Sequence, residues 1–382
     1  MTATLQRVFA ACISLLLLSC SSSGNIEPPA PLTDIVQAIQ LRNLWTVDTD
    51  AAEANVAPDL RPLLLGRQLL TVDVEGRVTS IDADKGKINW TSPTGVRAFA
   101  GLGGRGALVV AGSVDGDVVA FDLREDGLGR RWSVQLNGEI RAAPAVDDER
   151  VYVRTVAGRL SAISLADGRT QWSVTRRVPA LSLTGNSTPL IYGNLVIVGS
   201  DDGKITAFDA GNGETVWETV VSHPVGRTEI ERLVDIDGNF LERDGVIYVS
   251  SYQGRLAAIQ AISGNQLWSR QFSNYLAMAI DDEAIYLSGD MSHIWSIDRR
   301  SGNAFWKQEA LHGRKITAPE LIGNRLVVGD FAGYVHWIDR EDGRLVGRIR
   351  PSEARYVSQP LAWRDHLLLI DTEGRLSSIT AP

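Results

Sequence analysis

Few of the residues that could bind a cofactor or a metal ion stand at the spacing that such a site requires. Gly101-Leu-Gly103-Gly-Arg-Gly106 has the glycine spacing of a dinucleotide-binding loop, but a β-rich run follows it and not a helix. Asp235-Ile-Asp237-Gly238 begins like a calcium loop, yet it lacks the glutamate and the spacing of an EF-hand. The histidines are scattered without the spacing of a metal site: His223, His293, His312, His336 and His366. The sequence therefore predicts no catalytic residue, no metal ligand and no bound cofactor.

Cys20 is the residue with the clearest chemical expectation. Arg7 precedes an apolar run over residues 8–18, which has the length of a signal-peptide core and is too short to span a bilayer as a helix. The run ends in Leu17-Leu18-Ser19-Cys20. This ending resembles the lipobox of bacterial lipoproteins, although Leu18 is bulkier than usual there. The resemblance implies acylation of Cys20 and cleavage before it; an ordinary secretory signal is the alternative.

The predicted lipidation site also sets the predicted organisation of the chain. Residues 1–19 form the signal, residues 20–43 a lipidated, flexible tether, and residues 44–382 a single folded domain. Cys12 would leave with the signal, so that the mature chain keeps one cysteine and forms no internal disulfide. Ser21, and not Asp, follows Cys20; by resemblance to Gram-negative lipoproteins this favours the outer membrane.

Composition excludes little beyond this. A hydrophobic content of 44% and a charged content of 22% are those of an ordinary globular protein. The formal net charge of −8 argues against a protein that coats nucleic acid, which usually needs a basic face. The chain has 10 Trp and 36 Gly, and these two residue types carry its internal repeat.

The repeat consists of a short alternating strand, a turn glycine and then a tryptophan. The best copy runs from Thr206-Ala-Phe-Asp209 through Gly213 to Trp217. The glycines of the seven copies are Gly86, Gly127, Gly168, Gly213, Gly264, Gly302 and Gly343, and the tryptophans are Trp90, Trp132, Trp172, Trp217, Trp268 and Trp306. In the seventh copy Gly347 stands where tryptophan is expected, and an eighth copy stops at the end of the chain.

Each copy offers four short strands, a sheet too small to bury both of its faces alone. Copies packed in a ring solve this, which is the β-propeller architecture. Leu44-Trp45-Thr46 precedes the first full copy and can supply the outer strand that the eighth copy lacks. We therefore expect an all-β, eight-bladed propeller with four-stranded blades, closed by the N-terminal strand. A seven-bladed ring with a stray strand is the alternative.

The unit resembles the quinoprotein (PQQ-type) propeller repeat, with its Ala-x-Asp-x-x-Gly-x-x-x-Trp core. The dehydrogenases with this repeat hold PQQ beside a vicinal disulfide, a calcium site and a catalytic Asp, in longer chains. This sequence has no adjacent cysteine pair. The resemblance therefore favours the fold and not the enzyme, and a propeller that binds PQQ or another ligand in the periplasm is kept as an alternative.

Two neighbouring connections between copies, residues 173–188 and 218–239, are the longest in the ring. The first carries Leu181 and Leu183, and the second carries Asp235 and Asp237 in an acidic run. Both leave an outer strand and enter the next inner strand, so that both are expected on one face. Exposed leucines beside acidic residues are typical of a protein-binding surface. The alternative is that the leucines fold inward and cover the blade.

Three motifs narrow the family: Pro179-x-Leu181-x-Leu183, Thr228-Glu-Ile-x-Arg-Leu233 and Gly329-Asp-x-x-Gly-Tyr-Val-His-Trp337. With the lipobox, the Pro-rich tether and the PQQ-like blades, they resemble the BamB family of outer-membrane assembly lipoproteins in Gram-negative bacteria. The resemblance covers essentially the whole mature chain. It implies a non-enzymatic scaffold, anchored in the outer membrane and facing the periplasm, that assists the folding and insertion of outer-membrane proteins.

The same resemblance implies the partner and the residues that meet it. In the family these loops contact the periplasmic POTRA domains of BamA. By motif position the contact residues are Leu181, Leu183, Thr228, Glu229, Arg232, Asp235 and Asp237. Thr184 stands where the family commonly has Arg, which puts a charge-assisted contact there in doubt. Unfolded outer-membrane proteins are a further candidate partner, and an envelope scaffold with a different partner stays open.

Overall fold

The computed structural model describes residues 27–49, 61–179, 187–223, 228, 234, 236, 240–251, 254–272, 274 and 276–381. Over these residues the regular elements are 32 β-strands. They form eight four-stranded antiparallel sheets, the blades of a propeller. The fold prediction is confirmed. Within the described ranges, no helix is long and apolar enough to cross a membrane.

Blades 1 to 7 are each continuous in sequence and run from the innermost to the outermost strand. Blade 1 consists of β2 Leu63–Leu65, β3 Gln68–Val72, β4 Arg77–Asp82 and β5 Ile88–Pro93, and blade 2 consists of β6 Gly103–Arg105, β7 Leu108–Gly112, β8 Asp117–Leu123 and β9 Leu128–Gln135. Blade 3 consists of β10 Ala145–Val146, β11 Arg150–Arg154, β12 Arg159–Ser164 and β13 Thr170–Thr175, and blade 4 consists of β14 Leu190–Tyr192, β15 Leu195–Gly199, β16 Lys204–Asp209 and β17 Thr215–Val220. Blade 5 consists of β18 Leu241–Arg243, β19 Val246–Ser250, β20 Arg255–Gln260 and β21 Gln266–Gln271. Blade 6 consists of β22 Met278–Ile280, β23 Ala284–Ser288, β24 Ile294–Asp298 and β25 Ala304–Gln308. Blade 7 consists of β26 Glu320–Ile322, β27 Arg325–Gly329, β28 Val335–Asp339 and β29 Leu345–Ile349.

Blade 8 is built from both parts of the chain, as the sequence predicts. Its inner strands are β30 Leu361–Trp363, β31 His366–Ile370 and β32 Arg375–Thr380, and its outer strand is β1 Arg42–Asp48. β1 pairs antiparallel with β32, with Trp45 opposite Ser378. This pairing joins strands from distant parts of the chain in one blade. It thereby closes the ring between blades 8 and 1 and removes an exposed sheet edge.

The core lies between neighbouring blades. The second and third strands of each blade are buried on both faces, whereas the outer strands alternate between buried and exposed residues. One apolar cluster joins blades 8 and 1 through Leu69, Ile81, Leu368 and Leu376, and similar clusters follow around the ring. Coverage on both sides explains why second strands such as Leu195–Gly199 are nearly continuous apolar runs.

The outer-strand tryptophans connect each blade to the next one. In blade 4, Nε1 of Trp217 donates a hydrogen bond of 3.0 Å to the carbonyl of Ala261 in blade 5. A Cβ added to Gly264 of that blade would lie 2.6 Å from the Trp217 ring, so that the turn glycine admits the indole. The same indole–carbonyl bond is made by Trp45, Trp132, Trp172, Trp268 and Trp306. The spacing between glycine and tryptophan in the repeat therefore encodes contact between blades.

Trp90 departs from this pattern. Its side chain is as buried as those of Trp132, Trp172, Trp217 and Trp268, but its Nε1 has no hydrogen-bond partner among the residues that the structure describes. The turn that it faces in blade 2 is longer, and Gly127 of that turn lies near Ser92 instead of the indole.

In blade 7, Gly347 of β29 stands at the position of the repeat tryptophan. The segment before β1 fills the space that an indole would occupy there. A Cβ on Gly347 would lie 2.8 Å from Ile39 and 3.1 Å from Leu41. Residues 27–41, which composition predicts to be part of a flexible tether, thus pack along blade 7. The division into signal, tether and propeller domain stays a prediction.

Candidate docking face

The ends of the outer strands define one face of the ring. The N–H of Arg176, just after β13, donates to the carbonyl of Gly158 in the turn between β11 and β12 at 2.9 Å. In blade 4, Val221 bonds to Gly203 in the same way, also at 2.9 Å. The turn between the second and third strands and the connection to the next blade therefore lie together. We call this side the loop face and the other side the opposite face.

Both long connections, after β13 and after β17, begin on the loop face, as the sequence predicts. Of the predicted contact residues, Thr228 is described and participates in a polar or electrostatic interaction. The other predicted site residues lie outside the described residues: Cys20, Leu181, Leu183, Glu229, Arg232, Asp235 and Asp237. Their roles therefore stay predictions.

Two buried residues fix the second connection to blade 4. Val234 is 3% exposed and Ile236 is 1% exposed. A Cβ on Gly199, at the end of β15, would lie 2.6 Å from Cγ2 of Ile236, and one on Gly203 would lie 3.0 Å from Cγ2 of Val234. Val234 and Ile236 were not predicted as anchors from the sequence. Their alternation with the acidic residues of the loop could have indicated this role.

Ion pairs fix the start of the first connection. Nη1 of Arg176 lies 2.7 Å from Glu218 on β17, and Nζ of Lys204 lies 3.0 Å from the same carboxylate. Partial burial alone would raise the pKa of Glu218, but Lys204 and Arg176 together hold it below the ordinary value. The hydrogen bond to Glu218 and the neighbouring carboxylates raise the pKa of Lys204. Glu218 is thus an anion at neutral pH, and it ties the end of blade 3 to blade 4.

This cluster also lines a cleft of about 200 Å³ between blades 3 and 4. Arg154 and Asp201 form an ion pair of 2.7 Å on its wall, with side chains only 6% and 8% exposed. Val178, from the first connection, also lines the cleft and covers Gly158. Burying two charges is costly unless they are paired, so that removing either partner would strongly destabilise this junction. Paired charges therefore hold together the junction between blades 3 and 4.

Among the residues that the structure describes, no group of three or more His, Cys, Asp or Glu could hold a metal ion. At the bases of the two long connections, the described groups are paired charges and apolar anchors. Such an arrangement positions loops for recognition.

Comparison with known proteins decides the family. A family model described as outer membrane protein assembly factor BamB matches residues 34–129 and 74–308. The chain belongs to the BamB family. It is 36% identical over 374 residues to the outer membrane protein assembly factor BamB of Alkalilimnicola ehrlichii, with 98% of this chain and 97% of that protein covered. It is 30% identical to the BamB of Yersinia pestis, with 96% and 97% covered.

Solved structures agree with this assignment. BamB from Moraxella catarrhalis superposes with a TM-score of 0.80 at 25% identity, covering 89% of this chain and all of that one. A quinohemoprotein alcohol dehydrogenase from Comamonas testosteroni superposes with a TM-score of 0.71 at only 12% identity. At that identity the likeness to the dehydrogenase concerns the propeller fold alone. The BamB relatives, in contrast, are similar in both sequence and fold.

Proposed function

We propose that this protein is a scaffold lipoprotein of the outer-membrane β-barrel assembly machinery, held on the periplasmic side of the outer membrane by acylated Cys20. Its loop face docks on the POTRA domains of BamA and thereby assists the folding and insertion of outer-membrane proteins. The observation that carries this proposal is the match to BamB proteins over 96–98% of the chain. We assign it no enzymatic step.

The local structure supports the loop face as the docking surface. Its two long connections begin at neighbouring blades, and paired charges tie these blades together. Val234 and Ile236 hold one of them from below. The predicted contact residues Asp235 and Asp237 alternate in sequence with these two buried anchors.

In this proposal Leu181 and Leu183 supply the apolar centre of the contact, and Asp235 and Asp237 supply charge at its edge. This division follows the usual anatomy of protein interfaces, in which buried apolar anchors carry affinity and edge charges steer association. Thr228, Glu229 and Arg232 complete the second loop. Thr184 adds no charge, so that the leucines carry more of the contact here.

Affinity purification of the tagged, full-length protein from native membranes tests the partner. The expected result is co-purification of BamA. Recovery of another envelope protein in its place would assign the scaffold to a different assembly. Association that survives only in crosslinked samples would contradict a stable docking role.

Fractionation of Cys20→Ala tests the anchor. The expected result is release of this variant into the soluble periplasmic fraction, because a chain without acyl groups has no membrane anchor. Ser21→Ala is the matched control and should stay in the membrane fraction. Retention of Cys20→Ala in the membrane would contradict the lipid anchor.

A further inference from the structure

Residues 27–41, which we call the strap, follow the outer strand of blade 7. The N–H of Ala38 donates to the carbonyl of Val346 at 2.9 Å. Ile39 and Leu41 pack over Gly347 and join the apolar cluster between blades 7 and 8. Val346 is 5% exposed, whereas Leu267, the residue in the same position of blade 5, is 55% exposed. The strap thus covers a surface that the outer strand of blade 5 leaves open.

A buried arginine holds the first part of the strap. Nη1 of Arg314 donates to the carbonyl of Ala30 at 3.2 Å. The same guanidinium lies 2.6 Å from Asp330, whose side chain is fully buried. The carboxylate therefore fixes the arginine in the orientation that binds the strap backbone.

A second arginine acts on the strap through the same carboxylate. Nη1 of Arg348 donates to the carbonyl of Thr33 at 3.0 Å, and its Nε donates to Nδ1 of His336 at 3.2 Å. His336 is fully buried and lies 3.0 Å from Asp330 through Nε2. Burial lowers the pKa of His336 against the opposing effect of Asp330, so that the ring is neutral and can accept at Nδ1. One buried Asp–His pair thus orients both arginines.

The strap determines where the anchored end of the chain leaves the ring. Glu27 lies 3.3 Å from His312, and Pro29 lies against Gly313, in the connection between β25 and β26 on the loop face. Cys20 is seven residues before Glu27. Seven residues span at most about 25 Å, whereas the 22 residues from Cys20 to Arg42 could span about 75 Å. The strap therefore limits the reach of the anchor to about a third of its free length.

Two apolar side chains are exposed where the strap meets the ring. Met291 is 45% exposed and Phe331 is 37% exposed, in the loop-face turns of blades 6 and 7. Both are connected to the strap-binding loop. The carbonyl of Met291 accepts from the N–H of Gly313 at 3.0 Å, and the N–H of Phe331 donates to Arg314 at 3.2 Å. We call residues 289–292, 309–315 and 330–334 the blade 6–7 rim.

Charge on and around this rim is nearly balanced. Lys307 and Glu309 form an ion pair with each other. The other exposed charges are Lys315, Arg350 and Arg355, against Glu27, Asp290 and Glu353. A surface of this kind fits a zwitterionic headgroup layer better than a strongly anionic one, because long-range attraction needs an excess of one sign.

We propose that the blade 6–7 rim contacts the lipid surface in which Cys20 is anchored, with Met291 and Phe331 entering the headgroup region. The short reach set by the strap brings this rim to the bilayer and gives the propeller one orientation on it. This inference rests on the lipid anchor of the proposed function.

Fluorescence quenching on vesicles tests this proposal. The lipidated mature protein is placed in phosphatidylcholine vesicles that carry a doxyl-lipid quencher, with a single NBD label at Met291→Cys or Phe331→Cys. Ile262→Cys is the control, since Ile262 is 68% exposed on the opposite face. We expect at least twofold stronger quenching, and a blue shift, at 291 and 331 than at 262. Equal quenching at all three positions, or none at 291 and 331 in vesicle-bound protein, would overturn the proposal.

A strap variant provides the second readout. Ile39→Asp places a charge in the apolar contact with blade 7, whereas Val36→Asp changes a residue that is 90% exposed. We expect Ile39→Asp to reduce quenching at position 331 at least twofold, and Val36→Asp to leave it unchanged. Equal quenching in both variants would contradict the role of the strap. Loss of the unmodified mature protein from the vesicles would instead contradict the lipid anchor, and this proposal with it.

Discussion

The indole–carbonyl bond between blades can be measured by comparing two tryptophans. Trp217 and Trp90 are buried to the same degree, with 9% and 8% exposed. Nε1 of Trp217 bonds to the carbonyl of Ala261 at 3.0 Å, whereas Nε1 of Trp90 has no partner among the described residues. Replacing each by Phe keeps an aromatic ring and removes the N–H. Trp90→Phe is therefore the matched control for Trp217→Phe.

The expected difference follows from what each variant leaves behind. Trp217→Phe loses a net hydrogen bond and leaves the buried Ala261 carbonyl without this donor, which together costs about 1–2 kcal/mol. It also loses indole contact with Gly264, over which the ring packs. Trp90→Phe loses ring area alone, and it removes a buried N–H that had no described partner. We expect Trp217→Phe to be the less stable variant by about 1–2 kcal/mol.

Thermal unfolding of the soluble Cys20→Ala chain, followed by far-UV circular dichroism, provides the measurement. For a chain of this length 1 kcal/mol corresponds to roughly 2 °C in Tm. The Tm of Trp217→Phe should therefore lie about 2–4 °C below that of Trp90→Phe. Equal Tm values, or a lower Tm for Trp90→Phe, would refute the inference that the indole–carbonyl bond strengthens contact between blades.

Two further variants test separate parts of the structure. Gly347→Trp restores the tryptophan of the other repeats and collides with Ile39 and Leu41; amide hydrogen exchange at 36–41 should rise at least tenfold, and unchanged protection would contradict the strap. Burial raises the pKa of Glu320 to about 7 from 4.5. Ionisation of this carboxyl therefore lowers the free energy of unfolding, an effect that is absent below about pH 4.5 and grows as pH rises through about 7. Glu320→Gln should therefore gain stability relative to the parent between pH 5 and pH 8, by about 3 kcal/mol at most. A difference in Tm that does not change with pH would exclude this effect.

The propeller architecture could be predicted because the sequence pattern of one blade is short and recurs along the chain. The spacing of Gly213 and Trp217 recurs around the ring, and Trp45 completes the copy that the other end lacks. The partner of each indole could not be predicted, since a carbonyl such as that of Ala261 is reached only after the blades pack. The same holds for Arg154 and Asp201, which come from different repeats and share no local pattern.

The strap illustrates a different limit of sequence reasoning. Its Pro-rich, polar composition is typical of a flexible segment, but Ile39 and Leu41 form an apolar contact with blade 7. The signal for this contact was the missing tryptophan at position 347, hundreds of residues away in the sequence. The two long connections could be singled out because their length breaks the symmetry of the ring, and their docking role stays a prediction. Roles of single residues there came from motif resemblance, since spacing alone does not distinguish an outward leucine from a buried one.

Binding of the soluble propeller to the purified periplasmic POTRA domains of BamA, measured by calorimetry, tests the central claim most directly. We expect binding by the parent and at least a 30-fold loss in Leu181→Ser/Leu183→Ser, because the loss of one interface hot spot costs about 2 kcal/mol or more. Asp235→Arg/Asp237→Arg should also weaken binding, and both variants should unfold at the Tm of the parent. Ile262→Ser/Glu341→Arg, which changes exposed residues on the opposite face, is the matched control and should bind like the parent. Unchanged affinity in both loop variants would contradict the docking face.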